Sequence, residues 1–424
     1  MILTRVDRSS CASLFRISFL LIALFPLPGR AAPPAANSVT GWRGDGTGTY
    51  TGTNPPTQWN DTKNVMWHTP VGSGFSSPVV AGGHVFVTSE SSKIVCVNLK
   101  DGAVLWKAAL TPDDAPAEFK AKAAESAHAT TSCGYAAPTP VCDGANVYVV
   151  FGSGLVGCYS IDGTRKWVQY LEPAGETYGH SSSPLLIDGK LIVTVNHPTA
   201  LDAATGKIAW ECLQAEHTYG TPVGMKIDAS NVIVTPLGKV VRVSDGRLLA
   251  KDIAPDLGGS EYGISPVAGG NVVYLGDRTV TAVELSLAGG NLVVHKQWSA
   301  NLDVSSYASP VVGNGMLFFV GKDADCFVID LKSGKTLAET QLTIGHPGVD
   351  DPELSMANLY PSLVMADGKL FVSNDREQVF VYEASKELKL ISKNRMTEGS
   401  GSTLAIVETS LVIRSGVNLC RIGK

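Results

Sequence analysis

Side chains able to do chemistry are spread thinly along these 424 residues. The eight histidines stand at 68, 84, 128, 180, 197, 217, 295 and 346, scattered rather than clustered. No GxSxG, HExxH, P-loop or DxDxDG segment occurs, so nucleophilic, zinc-protease, nucleotide and calcium-loop signatures are all missing. The glycines of GDGTG at residues 44–48 come near phosphate-loop spacing. They lack the strand-to-helix context that would aim backbone N–H groups at a phosphate.

Aromatic and acidic residues do recur. Phe75, Tyr135, Tyr178 with His180, His217 with Tyr219, Tyr262, Tyr307 and Tyr360 are spread along the chain at a coarse, repeated interval. Glu176, Glu216, Glu261, Asp303, Asp350, Asp351, Glu353 and Glu398 accompany them. Aromatic faces and carboxylates both attract positive charge, so a set that converged would take a cation, an amine or a basic peptide. The competing reading is that the rings pack between loops and the acids solvate loop tips.

The elements that would position them are repeats. Residues 76–88 (SSPVVAGGHVFVT), 183–194 (SPLLIDGKLIVT) and 309–320 (SPVVGNGMLFFV) each read as strand, tight turn, strand. Prolines 78, 140, 184, 222, 266, 310 and 361 mark repeat starts, and an eighth start near Thr403 lacks the proline. A second half recurs as well, clearest in ALDAATGKIAW at 200–210, where a Thr-Gly turn leads into a strand carrying Trp. Each unit is thus four short Val/Ile/Leu-rich strands, the pattern of a propeller blade. Dividing residues 64–424 by eight gives about 45 residues per unit, inside the usual blade length. The expected fold is an all-β, eight-bladed β-propeller with four antiparallel strands per blade. The last unit stops after three strands, and residues 64–71 (NVMWHTPV) look like its missing outer strand, so the N-terminal strand closes the last blade. Trp67, Trp106, Trp167, Trp210 and Trp298 fall in the outermost-strand slot and are read as wedges between blades.

Composition agrees with this architecture. Charged residues are 17% and hydrophobic residues 44%, with 44 Gly and 23 Pro. Such a chain is no coiled coil, disordered tail or helix bundle. A net charge of −5 without any basic run removes the footprint of a nucleic-acid binder.

Residues 1–31 read as a signal peptide, with Arg5, Arg8 and Arg16 before an apolar run at 17–27 and a cut after Ala31. Residues 32–63 form a leading segment and 64–424 the propeller. The run at 17–27 is too short to span a bilayer and no second one follows, so the expectation is an exported monomer in the periplasm or outside the cell. Cys96, Cys158 and Cys420 share one repeat position and Cys326 lies two residues upstream of it, so these read as small buried apolar residues. Cys133 and Cys142 are held apart by an extended stretch, beyond the roughly 7 Å a disulfide tolerates, and no CxxC or Cys/His metal pattern occurs.

The pattern at 200–210 resembles the tryptophan-docking repeat of the pyrroloquinoline-quinone (PQQ) type propellers, which include the quinoprotein alcohol dehydrogenases and the outer-membrane assembly lipoprotein propeller. Residues 42–44 (WRG), Trp67 and residues 74–87 are similar to exported PQQ-like repeat proteins of planctomycete-type bacteria. The resemblance covers roughly residues 41–424. What it implies is a binding function on one face of the ring, or alternatively a dehydrogenase holding PQQ and calcium at the channel mouth. The chain departs from the dehydrogenases in lacking adjacent cysteines, a matching Asp base with Glu/Asn ligands, and a haem-attaching CxxCH. The expectation is therefore a non-catalytic scaffold without cofactor or metal, engaging a protein or small-molecule partner. A polysaccharide or cell-surface module is a third reading. Long connectors at 111–132 and 344–359 are further candidates for recognition loops.

Overall fold

The computed structural model describes residues 40–126, 132–173, 175, 178–216, 219–255, 263–342, 358–376, 378–399 and 401–423. Among the described residues eight sheets are present, each built on four antiparallel strands that are consecutive except in the composite eighth, and a fifth, parallel strand joins the sheet of blade seven. Blade one runs Val79–Ala81, His84–Ser89, Lys93–Asn98 and Val104–Ala109 from the axis to the rim. Blades two to seven span residues 141–170, 185–211, 223–250, 267–301, 311–341 and 364–395. Blade eight is made of Ala405–Val407, Ser410–Ser415 and Asn418–Ile422, with Val65–Pro70 pairing antiparallel to its third strand. The expected closure by the N-terminal strand is therefore the one the chain adopts.

The repeating pattern of apolar residues follows from where each strand lies. Second and third strands face a neighbouring blade on both sides, so Val85, Phe86 and Val87 are all buried, as are Leu317, Phe318, Phe319 and Val320. Outer strands have a solvent face, and in Val104–Ala109 no residue is fully buried. The hydrophobic clusters lie between blades: Phe318, Val328 and Cys326 of blade six pack with Leu370 and Phe380 of blade seven.

Tryptophan fastens these sandwiches together. Trp67, Trp106, Trp167, Trp210 and Trp298 each lie against the next blade's turn glycine, at 102, 163, 206, 246 and 334, and their indole N–H groups donate to backbone carbonyls one blade on at 2.8–3.0 Å. Each of these glycines has φ between 70° and 92°, and a Cβ there would meet the ring at 2.6–2.7 Å. The glycine is thus required twice, by the left-handed turn and by the ring above it.

Where the two chain ends meet, Arg414 of blade eight is fully buried and donates to the carbonyls of Gly72 and Thr88 and to the Ser89 hydroxyl. Burial lowers its pKa to about 10.

Two features depart from the sequence reading. Pro361 is not in the repeat-start slot: the first strand of blade seven is Val364–Ala366, so Leu363 stands where other blades carry proline and Pro361 lies two residues earlier. Residues 40–54 of the leading segment, to which the sequence assigns no place in the ring, pack inside it. Thr49–Tyr50 pairs in parallel with the innermost strand of blade seven, Thr49 Oγ1 donates to Val312 O, and Cys142 N–H donates to Thr40 O in blade two. Residues 40–54 therefore fill the central channel, with Asn54 bonded at the far hairpin of blade eight through Glu408 O. The GDGTG glycines serve this path: Gly44, Gly46 and Gly48 all have positive φ, and a Cβ on Gly48 would meet Arg43 Nη2 at 2.3 Å. Arg43 Nη2 donates to Pro310 O and Leu363 O, tying the segment to blades six and seven.

The described part of the connector at 111–132 contains two short 3-10 turns and the helix Lys120–Ser126. Phe119 of this connector packs on Tyr170 of blade two. Most of the second long connector, at 344–359, lies outside the described residues. No helix among the described residues is long and apolar enough to cross a membrane.

Candidate functional site

The residue two places before the first strand of each blade carries a hydroxyl, and these eight join in a closed cycle. Ser77 N–H donates to Thr139 Oγ1 at 2.9 Å, Thr139 N–H to Ser183 Oγ at 3.0 Å, Ser183 N–H to Thr221 Oγ1 at 3.0 Å and Thr221 N–H to Ser265 Oγ at 2.8 Å. The series continues through Ser309, Ser362 and Thr403 and returns from Thr403 N–H to Ser77 Oγ at 3.2 Å. Every blade start thus satisfies its buried N–H with a side chain of the next blade, which no local secondary structure would provide. Among the described residues, none of the eight hydroxyls donates a hydrogen bond of its own.

This ring is the floor of a cavity of about 500 Å³. Its walls are aromatic: Phe75, Tyr178, Tyr219, Tyr307 and Tyr360 line it, and Trp42 of the channel segment joins the lining from the axis. Tyr307 and Tyr360 have centroids 4.9 Å apart, and Tyr178 meets Tyr219 edge-on at 5.8 Å. Phe75, Tyr178 and Tyr360 are each about half exposed, at 49%, 57% and 48%. Burial and the neighbouring Tyr307 raise the pKa of the Tyr360 phenol. The described lining carries no charged side chain.

The sequence candidates distribute as follows. Phe75, Tyr178, Tyr219, Tyr307 and Tyr360 come together around the cavity. Tyr135 lies off it, its N–H donating to Glu90 Oε1 at 2.9 Å. His180 is buried behind the wall with no hydrogen-bond partner for Nε2, and desolvation lowers its pKa to about 4. Glu216 is exposed and does not line the cavity. His217, Glu261 and Tyr262 fall outside the described residues, as do Glu176, Asp350, Asp351 and Glu353. Of the acids that are described, none is in the lining, so the described part of the walls is aromatic.

Three contributors escaped the sequence reading. Trp42 was visible only as part of a family-like opening, and nothing local says that it lies in the channel. Six of the ring hydroxyls stand in Ser-Pro or Thr-Pro pairs, whose prolines mark the repeat starts, while Ser362 and Thr403 are followed by leucine. Cys133 lines the cavity, half-buried, and its thiol pKa is raised by desolvation. All seven described cysteines are unpaired, in keeping with the absence of a disulfide pattern. No group of three or more His, Cys, Asp or Glu side chains among the described residues is placed to hold a metal.

An all-β ring of eight blades, docked by tryptophan onto turn glycines and closed by its own N-terminal strand, defines a PQQ-like repeat propeller. The family model described as outer membrane protein assembly factor BamB matches residues 47–257 and 199–417, and the chain belongs to that PQQ_2 family. Among solved structures, BamB from Moraxella catarrhalis is 13% identical with a TM-score of 0.60, covering 85% of this chain and 99% of that one. Quinohemoprotein alcohol dehydrogenase from Comamonas testosteroni is 11% identical with a TM-score of 0.58, covering 89% and 78%. The computationally designed protein Ika8 is 12% identical with a TM-score of 0.54, covering 87% and 100%. At these identities the likeness is one of fold. No curated protein sequence matches the chain.

Proposed function

We propose that this protein is a non-catalytic binding module that captures an uncharged ligand or partner segment at the mouth of the ring. The observation that carries the reading is the 500 Å³ cavity with aromatic walls and a hydroxyl floor. Pockets of this size and mixture bind by burying apolar surface and fixing orientation with a few polar contacts. Half-exposed rings such as Tyr178 and Tyr360 supply large rigid area at low entropic cost. The family description, an outer membrane protein assembly factor, and the reading of residues 1–31 as a signal peptide both support an exported protein that works by contact.

The quinoprotein alternative asks the same mouth to hold PQQ, a planar quinone bearing three carboxylates, together with calcium. The described lining does not fit that group: it brings no lysine or arginine to the carboxylates and no carboxylate to a cation. Charged ligands buried without such partners pay a large desolvation cost.

Two measurements separate the readings. The purified protein is used as bait in an extracellular-envelope extract beside a Phe75→Ala/Tyr178→Ala/Tyr360→Ala variant, and loss of the captured partner at an unchanged melting temperature is the expected result. Incubation with PQQ and calcium should yield no dye reduction with alcohols or aldoses. Reproducible dye reduction would overturn the binding-module reading.

A further inference from the structure

The cavity floor has an unusual chemical character that narrows the ligand. Each ring hydroxyl is more than nine-tenths buried and accepts one backbone N–H, which leaves one lone pair and one O–H on every oxygen. Eight such groups, one per blade, present donor and acceptor side by side around the floor. An anion would use only the donors, and an ammonium only the acceptors. A ligand that is itself studded with hydroxyls uses both.

The walls ask for the complementary property. Tyr178, Tyr307, Tyr360 and Phe75 offer ring faces and edges to apolar surface, and Trp42 offers a large ring from the axis. Behind Trp42 lies Arg43, its guanidinium 5.2 Å from the Trp42 ring centroid and only 2% exposed. That cation is turned onto backbone carbonyls of blades six and seven rather than into the cavity. The described lining that faces the ligand is therefore uncharged, with apolar planes above a polar, hydroxyl-bearing base.

We infer that the mouth is a site for a neutral oligosaccharide, whose C–H faces stack on the aromatic walls while its hydroxyls meet the Ser/Thr ring. The inference rests on the binding-module reading and names the ligand class of that site. A cavity of 500 Å³ suits a segment of a few sugar rings. Trp42 then acts as a specificity-determining residue contributed by the channel segment rather than by any blade.

Isothermal titration with maltotriose, cellotriose and mannotriose tests this, with trigalacturonate as the charged counterpart. The expected result is saturable binding of at least one neutral trisaccharide, weakened about tenfold or more by Tyr178→Ala/Tyr360→Ala and separately by Trp42→Ala. Trigalacturonate should bind about tenfold more weakly than the best neutral probe. The two tyrosines are half-exposed, so the double variant keeps its melting temperature, and the stability of each variant is checked in parallel. Failure of all three neutral sugars overturns the saccharide assignment, as does preference for trigalacturonate. A display-selected peptide that binds the wild type but not Tyr178→Ala/Tyr360→Ala, in the absence of sugar binding, overturns the ligand class while leaving the binding module standing. Dye-linked dehydrogenase activity overturns both.

Discussion

Blade three contains two glycines that make the tryptophan docking measurable. Gly189 has φ +69° and Gly206 has φ +73°, so alanine at either position meets the same left-handed strain, about 1–2 kcal/mol. Their surroundings differ: nothing lies within 4 Å of a Cβ at Gly189, whereas at Gly206 it would stand 2.6 Å from two carbons of the Trp167 ring. Restoring ordinary carbon contact requires the ring to retreat by about 1 Å. The ring is held by its Nε1 bond to Ala203 O at 3.0 Å, so retreat strains that hydrogen bond as well. Overpacking costs about 1–3 kcal/mol and the bond about 1 kcal/mol. Gly189→Ala should therefore destabilise by about 1–2 kcal/mol and Gly206→Ala by about 3–6 kcal/mol. Urea unfolding followed by circular dichroism, with midpoints compared at a shared slope, reads the difference. In a Trp167→Ala background the penalty of Gly206→Ala should fall to that of Gly189→Ala, because the obstacle has gone. Equal midpoint shifts for the two single variants would refute the docking argument.

Two further outcomes follow from buried polar groups. His180 keeps its neutral form in the fold, with a pKa near 4 against 6.5 for an ordinary histidine, so the unfolded chain binds the proton first as pH falls. Its contribution is neutral above about pH 6.5, erodes between there and pH 4, and levels off near 3 kcal/mol lost; His180→Gln should flatten that part of the stability–pH curve relative to wild type, and an unaltered difference between pH 7 and pH 4.5 would count against it. Thr221→Val removes the acceptor of the Ser183 N–H and breaks the hydroxyl cycle at one point. A stranded buried donor costs about 1–3 kcal/mol, so Thr221→Val should lower the urea midpoint while Thr221→Ser restores it; equal midpoints for the two would show that the cycle contributes nothing to stability.

The architecture was legible because it is repeated. Eight copies of one strand-turn-strand pattern reinforce each other, and the lone strand at residues 65–70 could be matched to the blade that lacked one. Turn glycines were legible as turns, yet their second role under Trp67, Trp106 and the other rings was not, since it depends on the neighbouring blade. The aromatic candidates split for a similar reason. Tyr219, Tyr307 and Phe75 stand two residues before the ring hydroxyl and reach the cavity, whereas Tyr135 stands four before Thr139 and is directed elsewhere. Chain distance does not decide it alone, since Tyr178 stands five before Ser183 and still lines the cavity; the path of each connector does, and the start itself was misplaced by two residues in blade seven.

Arg43 and Arg414 show the limit most plainly. Nothing in the local sequence marks either as buried, yet both lie on backbone carbonyls far away in sequence. Local pattern determined the blades, their number and the way the ring closes, because strand period and turn chemistry act over a few residues. Only the closed ring decided that residues 40–54 fill the channel, that eight hydroxyls complete a cycle, and that the described cavity lining is uncharged, because each of these needs partners brought together from several blades.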